Sequence, residues 1–164
     1  MNTQQSSHSI SLLVSNKPGV LLRTTIIFAR RGFNIESLVV SPAFDGNYSR
    51  MTITAKGNDK DLEQIVKQLN KLIDVIDATD TSLNNPIERE LALIKVKIGS
   101  DQRHDLLHEI DHFKAKTVDL TNESLIIEIS GDSDKLNAFI KILNKYEIME
   151  MIRSGKIVIE RNSI

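Results

Sequence analysis

Two short stretches of this chain combine residue types and spacing that chemistry uses. "HEIDH", His108 to His112, fits H-E-x-x-H, which sets two zinc ligands one helical turn apart with a glutamate as general base. "NKPGVLLR", Asn16 to Arg23, follows the alternating run "SISLLV" and carries a strand straight into a helix that opens on glycine. A helix start of that kind leaves backbone N–H groups unpaired at the positive end of the macrodipole, where a small anion is favoured.

Helix geometry separates the two. At about 100° per residue, His104, His108 and His112 fall within about 80° of one another, opposite Leu106, Leu107, Ile110 and Phe113. The histidines therefore face water, Asp111 puts a charge between the two ligands, and no third ligand follows downstream. The expectation is a solvated polar face with no metal. No G-x-S-x-G, no phosphate loop and no cysteine offers another catalytic set, so the chain reads as non-catalytic.

If Gly19 begins the helix, the N–H groups of Gly19, Val20 and Leu21 converge above it, and a carboxylate there gains about 0.3 to 2 kcal/mol. A side chain at Gly19 would fill the space of the bound group. The Asn16 amide offers a donor and an acceptor. Asn34 opens the next strand and approaches this loop from a second copy if sheets meet edge to edge. With apolar Val20, Leu21 and Ile35, the set suits a zwitterion with a short aliphatic side chain. The same residues also make an ordinary tight turn, with Asn34 as a cap, and spacing alone leaves both readings open.

The elements that position these residues follow from periodicity. "SISLLVS" alternates as a strand, Val20 to Arg31 reads as a helix closed by Gly32, and "IESLVVSP" is a strand stopped by Pro42. Asp45-Gly46-Asn47 is hairpin chemistry leading into "YSRMTITA", with Met51, Ile53 and Ala55 on one face. Leu62, Ile65, Val66, Leu69, Leu72 and Ile73 form the strongest helical stripe, and "VIDATDTS" is a fourth strand. After "LNNPIE" the order begins again: "ELALIKVKI", a helix marked by Leu106 and Ile110, "KTVDL" with "SLIIEIS", a helix with Ser133 as N-cap and Leu136, Phe139, Ile140 and Leu143 buried, and "IMEMIRSGKIVIE". Strand, helix, strand, strand, helix, strand, twice, predicts an α+β chain of two ferredoxin-like (βαββαβ) domains in tandem. The expected boundaries are a disordered polar tail over 1–7, a first domain over 8–84 and a second over 85–164.

Composition agrees with two small cores: 164 residues, 40% apolar. Before Pro86 there are 9 basic and 8 acidic residues, and 12 and 14 from there on, so neither half has the positive excess that nucleic acid or an anionic membrane surface requires. The absence of cysteine fits a reducing cytoplasm, the polar opening "MNTQQSS" is unlike a secretion signal, and no apolar run is long enough to span a membrane.

Taken together, "NKPGVLLR", "RRGFNIESL", "SRMTI" and "LEQIVKQLNKLIDV", continuing through "ERELALIKV" and "RSGKIVIER", resemble the small regulatory subunit of acetohydroxyacid synthase (acetolactate synthase), built on an amino-acid-binding ACT domain. The resemblance implies that the first domain is the ACT domain and that the subunit has no active site or cofactor of its own. It implies a partner, the catalytic subunit, which carries thiamine diphosphate, magnesium and FAD. It further implies activation of that partner, feedback inhibition by valine, and a homodimer formed through the ACT domains. The family's effector site falls on Asn16, Gly19, Val20 and Leu21 of one copy with Asn34 and Ile35 of the facing copy. Ile26 and Ser41 stand where the family favours smaller residues. The alternative within the same resemblance is an ACT-domain sensor that regulates a different enzyme or a transcriptional partner.

Overall fold

Alternation of aliphatic and small polar residues gives β1 (Ser6–Ser15) two faces: Ile10, Leu12 and Val14 are wholly buried, while Ser11 and Leu13 point to the other side. The computed structural model describes residues 6–82, 85–99 and 101–161. Of the expected tail over 1–7, residues 1–5 lie outside that set, and Ser6 and Ser7 already belong to β1. Residue 84, the expected end of the first domain, also lies outside it. The chain divides into two compact units, one running to Ile87 and taking back the segment from Lys156, the other Glu88–Gly155.

In the first unit β1 is followed by α1 (Val20–Arg30), β2 (Ile35–Pro42), β3 (Tyr48–Gly57), α2 (Asp59–Leu69) and β4 (Val75–Asp80). The strands pair antiparallel in the order β2-β3-β1-β4, the ferredoxin-like arrangement expected from the element order. One sheet face carries Ile10, Leu12, Met51, Ile53 and Ala55, and both helices bury their stripes against it through Val20, Phe28, Leu62, Ile65 and Leu69. Each fully buried Leu, Ile or Phe side chain of this set contributes roughly 1.5 to 3 kcal/mol.

The helix ends are set locally. Gly32, at φ 72°, turns the chain out of α1, with the N–H groups of Arg31 and Phe33 both donating to the Phe28 carbonyl, at 3.1 and 3.0 Å. Helix α1 thus stops at Arg30, one residue short of expectation. Asn58 caps α2 by accepting from the Asp61 N–H at 2.9 Å. Asn58→Ala should therefore lower the unfolding free energy by about 1 kcal/mol, measured by urea denaturation; an unchanged midpoint would remove the cap from the account. The stripe of α2 does not extend as far as its spacing suggested. The helix ends at Leu69, the chain turns at Asn70, and Ile73 is 95% exposed instead of buried. Asn70 then does a strand's work: its amide donates to the Ala78 carbonyl at 2.8 Å and its oxygen accepts the Ala78 N–H at 2.9 Å, pairing one position on the edge strand β4.

The second unit repeats the plan with β5 (Ile87–Lys97), α3 (Arg103–His112), β6 (Lys116–Leu120), β7 (Ser124–Gly131), α4 (Ser133–Leu143) and β8 (Glu147–Arg153), and a short β9 (Ile157–Ile159) follows Gly155. Its sheet has five strands: four run β6-β7-β5-β8, and β9 also pairs with β5. Ala92, Ile94, Val96, Leu125, Ile127 and Ile129 line the sheet's inner face, against Leu106 and Ile110 of α3 and Leu136, Phe139 and Leu143 of α4. One local expectation is corrected. Asp132, and not Ser133, caps α4 by accepting from the Lys135 N–H at 2.9 Å, which frees the Ser133 hydroxyl to donate to Glu90 at 2.8 Å.

Candidate functional site

At the end of β1 the chain is fixed on two sides before it turns. Ser15 N–H donates to the Asp74 carbonyl and Asn16 N–H to the Asn47 carbonyl, both at 2.8 Å. Pro18 and Gly19 then swing it into α1. Gly19 is the residue before the helix, at φ 83°, ψ −10°, and caps nothing with a side chain. The left-handed backbone at this position favours glycine over residues with a Cβ.

The consequence for the helix start is specific. Arg23 N–H reaches the Gly19 carbonyl at 3.1 Å, but Val20 N–H finds only a long contact to the Lys17 carbonyl at 3.4 Å. Among the described residues the N–H groups of Gly19 and Leu21 have no backbone acceptor. The first turn carries no acidic residue to offset the dipole. It carries a base instead. Arg23 lies one turn on, so close to Gly19 that a Cβ built there would sit 2.9 Å from its Nη1. Its guanidinium is held by Asp74, through Nε at 2.9 Å and Nη2 at 2.7 Å. An arginine at a helix's positive end is electrostatically unfavourable, and it makes this helix start more attractive to a carboxylate. Sequence reasoning did not single out Arg23 as part of this corner. The signal was a base four residues after Gly19, on the same helical face; its partner Asp74, 51 residues away, was not legible.

The other expected residues fall as follows. Asn16 is exposed, but its amide N–H donates to the Gly46 carbonyl at 3.0 Å, so its remaining free capacity is mainly the acceptor oxygen. The Val20 side chain is only 3% exposed and belongs to the unit's core, which leaves its main chain to serve a ligand, whereas Leu21 is 43% exposed beside it. Asn34 is exposed, and Ile35 packs against the unit's own core. These last two are distant from Gly19. Ile35 pairs with Ala55 and Ser15 with Tyr48, seven residues apart along β3, which is about 24 Å at the usual rise. One copy therefore brings Asn16, Gly19, Leu21 and Arg23 together but cannot add Asn34 and Ile35 to them.

His104, His108 and His112 lie exposed on α3, opposite buried Leu106 and Ile110. Glu109, the general base of the zinc pattern, is half-buried and accepts from Lys145 at 3.1 Å. That pairing is a structural use of the carboxylate. No helix of the described residues is long and apolar enough to cross a membrane.

Comparison with known proteins places both halves. A family model described as the AHAS small subunit-like ACT domain matches residues 10–77, and one described as the small subunit of acetolactate synthase matches residues 89–162. The chain is 44% identical to the acetolactate synthase small subunit of Mycolicibacterium smegmatis, over 98% of this chain and 95% of that one. It is 42% identical to the small subunit from Buchnera aphidicola subsp. Schizaphis graminum, over 93% and 97%. The crystal structure of the acetolactate synthase small subunit from Thermotoga maritima superposes with a TM-score of 0.84 at 38% identity, covering 97% of this chain and 99% of that one.

Proposed function

The chain belongs to the acetolactate synthase small-subunit family, and from that premise we propose that it regulates a catalytic acetolactate-forming subunit by activating it and by binding valine as a feedback inhibitor. A small subunit implies a large catalytic partner, and in this reading thiamine diphosphate, magnesium and FAD belong to that partner. The observation that carries the proposal is the start of α1, where unused N–H groups of Gly19 and Leu21 meet the Arg23 guanidinium. This corner takes the carboxylate of valine, and the Asn16 oxygen its ammonium. Asn34 and Ile35 come from a second copy, whose β2 edge would lie antiparallel to the first, so a homodimer of ACT domains completes the site.

Coupling of about 1 to 3 kcal/mol between effector and partner changes activity roughly 5- to 150-fold and requires no large rearrangement. The test is reconstitution. Purified chain added to a thiamine-dependent acetolactate-forming subunit is expected to form a complex, raise its turnover, and make it valine-sensitive; calorimetry is expected to show valine binding to the chain. If the chain neither associates with nor stimulates such an enzyme, it is a sensor for another target.

A further inference from the structure

The exposed apolar side chains of the first unit are gathered at one end. Among the described residues from β1 to β4, six large ones are exposed: Leu21, Leu22, Val40, Phe44, Ile73 and Ile76. Strands β1 and β2 and helix α2 run toward the Gly19 corner, and α1, β3 and β4 run away from it. The β1–α1 turn, the β2–β3 hairpin and the α2–β4 turn therefore share that end. All six side chains sit in those turns or in the ends of the elements beside them. The other end presents Arg30, Arg31, Asn34, Lys56, Asp59 and Lys60 to water. Exposed apolar residues scattered singly are ordinary, whereas their collection at one end marks an interaction surface.

Phe44 and Ile73 are the extremes, with their side chains almost wholly in water. Both stand on turns fixed by hydrogen bonds. Ala43 N–H donates to the Tyr48 carbonyl at 2.8 Å and Gly46 N–H to the Ala43 carbonyl at 3.0 Å, which closes the hairpin. Asn16 grips the same hairpin twice, by its N–H to the Asn47 carbonyl and its side-chain amide to the Gly46 carbonyl. Asp74, next to Ile73, takes the Ser15 N–H on its carbonyl and the Arg23 guanidinium on its carboxylate. Of the charged side chains in the three turns, Asp74 is thus paired, and Asp45 accepts from the Asn47 N–H of its own turn at 3.2 Å. Lys17 and Lys71 are exposed and have no ion pair or side-chain hydrogen bond among the described residues.

We infer that this end is the surface by which the chain docks on its catalytic subunit, with Phe44 and Ile73 entering apolar hollows and partner carboxylates facing Lys17 and Lys71. The inference rests on the reading of the chain as a regulator of such a subunit, and it gives that reading a contact. A second copy is the poorer occupant. Its proposed place is along the β2 edge, and in the order β2-β3-β1-β4 the turn before β4 lies three strand spacings, about 14 Å, from that edge. The hydrogen bonds also supply a route for control. A ligand at Gly19 engages Asn16 and Arg23, and each of these holds one of the anchoring turns. By linkage, whatever valine does to affinity for the catalytic subunit, that subunit does to affinity for valine.

The experiment measures binding of the full chain to the purified catalytic subunit, beside calorimetry of valine with the chain alone. Phe44→Ser and Ile73→Ser replace exposed side chains, so folding and valine binding by the chain alone are expected to match the parent. Affinity for the catalytic subunit is expected to fall roughly 30-fold or more in each. Lys60→Ser, at the polar end, is expected to leave it unchanged. The chain has no cysteine, so Ile73→Cys accepts a single environment-sensitive dye. Its emission is expected to move to the blue when the catalytic subunit is added, and the same dye on Lys60→Cys to stay as it was. If Phe44→Ser and Ile73→Ser bind the catalytic subunit as tightly as the parent, the inference is overturned and the regulatory reading stands. Loss of self-association with that affinity intact also overturns it and gives the surface to a second copy. A parent chain that binds no catalytic subunit removes the regulatory reading and this surface with it.

Discussion

The Gly19→Asp chain is expected to lose its response to valine while still stimulating the catalytic subunit. Gly19 sits at φ 83°, where an aspartate backbone costs roughly 1 to 2 kcal/mol, and its Cβ meets only the far end of the flexible Arg23 side chain. The unit therefore stays folded. What changes is charge. The new carboxylate lies beside Arg23 and the unused N–H groups of the first turn, in the space the ligand's carboxylate is proposed to fill. Two like charges about 4 Å apart near a protein surface repel by about 4 kcal/mol at an effective dielectric of about 20, and the new residue also removes the attraction of Arg23. Valine affinity should fall by roughly 100-fold or more by calorimetry.

Two companions separate charge from strain. Gly19→Ala adds the Cβ without the carboxylate and should lose less affinity. Arg23→Gln removes the guanidinium and frees Asp74, and should weaken valine roughly 10-fold or more without any backbone strain. A Gly19→Asp chain that valine inhibits as strongly as the parent would sink the assignment of this corner.

Removing the Glu90 carboxylate is expected to be as damaging to the second unit as truncating one of its core side chains. Glu90 is 6% exposed, and its carboxylate accepts from Arg153 Nε at 3.0 Å, from Arg153 Nη2, and from the Ser133 hydroxyl at 2.8 Å. Arg153 also donates to the Asn137 side chain at 3.0 Å, so one buried acid joins β5, β8 and α4. Its partner is only partly buried, the arginine side chain being 31% exposed. Breaking a fully buried pair costs about 3 to 5 kcal/mol, and water near Arg153 brings the expectation for Glu90→Ala to about 2 to 4. Amide exchange resolves where the loss falls: protection should drop in β5, β8 and α4 and persist in β1 and β3. The double replacement Glu90→Leu with Arg153→Met should recover much of the loss, because it leaves no charge unpaired. A cost under about 1 kcal/mol for Glu90→Ala would mean that the pair behaves as an ordinary surface one.

Neither the sequence alone nor its apolar pattern singled out Glu90, and the reason is general to this chain. Its partners lie 43 and 63 residues away, on elements whose pairing is a property of the sheet. What was legible came from short-range periodicity. Apolar residues two apart in "SISLLV" and three or four apart in "LEQIVKQL" can bury one face only as strand and helix respectively, so the order of elements in both halves followed. The same logic put His104, His108 and His112 on the wet side of α3, opposite Leu106 and Ile110. It failed at ends, where the pattern persists but the helix does not: Ile73 continues the α2 stripe in sequence and is exposed because the chain has already turned at Asn70.

By itself, then, the sequence determined the tandem α+β plan, the strand-to-helix corner at Asn16 to Leu21 and, through linked motifs, the family. These are local patterns, and backbone geometry translates them directly into structure. Tertiary structure alone decided which groups at that corner remain free. The Asn16 amide is drawn to the Gly46 carbonyl 30 residues away, the Val20 side chain goes to the core, and Arg23 is held beside Gly19 by Asp74. Sheet register alone put Asn34 and Ile35 about 24 Å from that corner. A strand's partners are chosen by the burial of whole faces, and no window of sequence contains both sides of that choice.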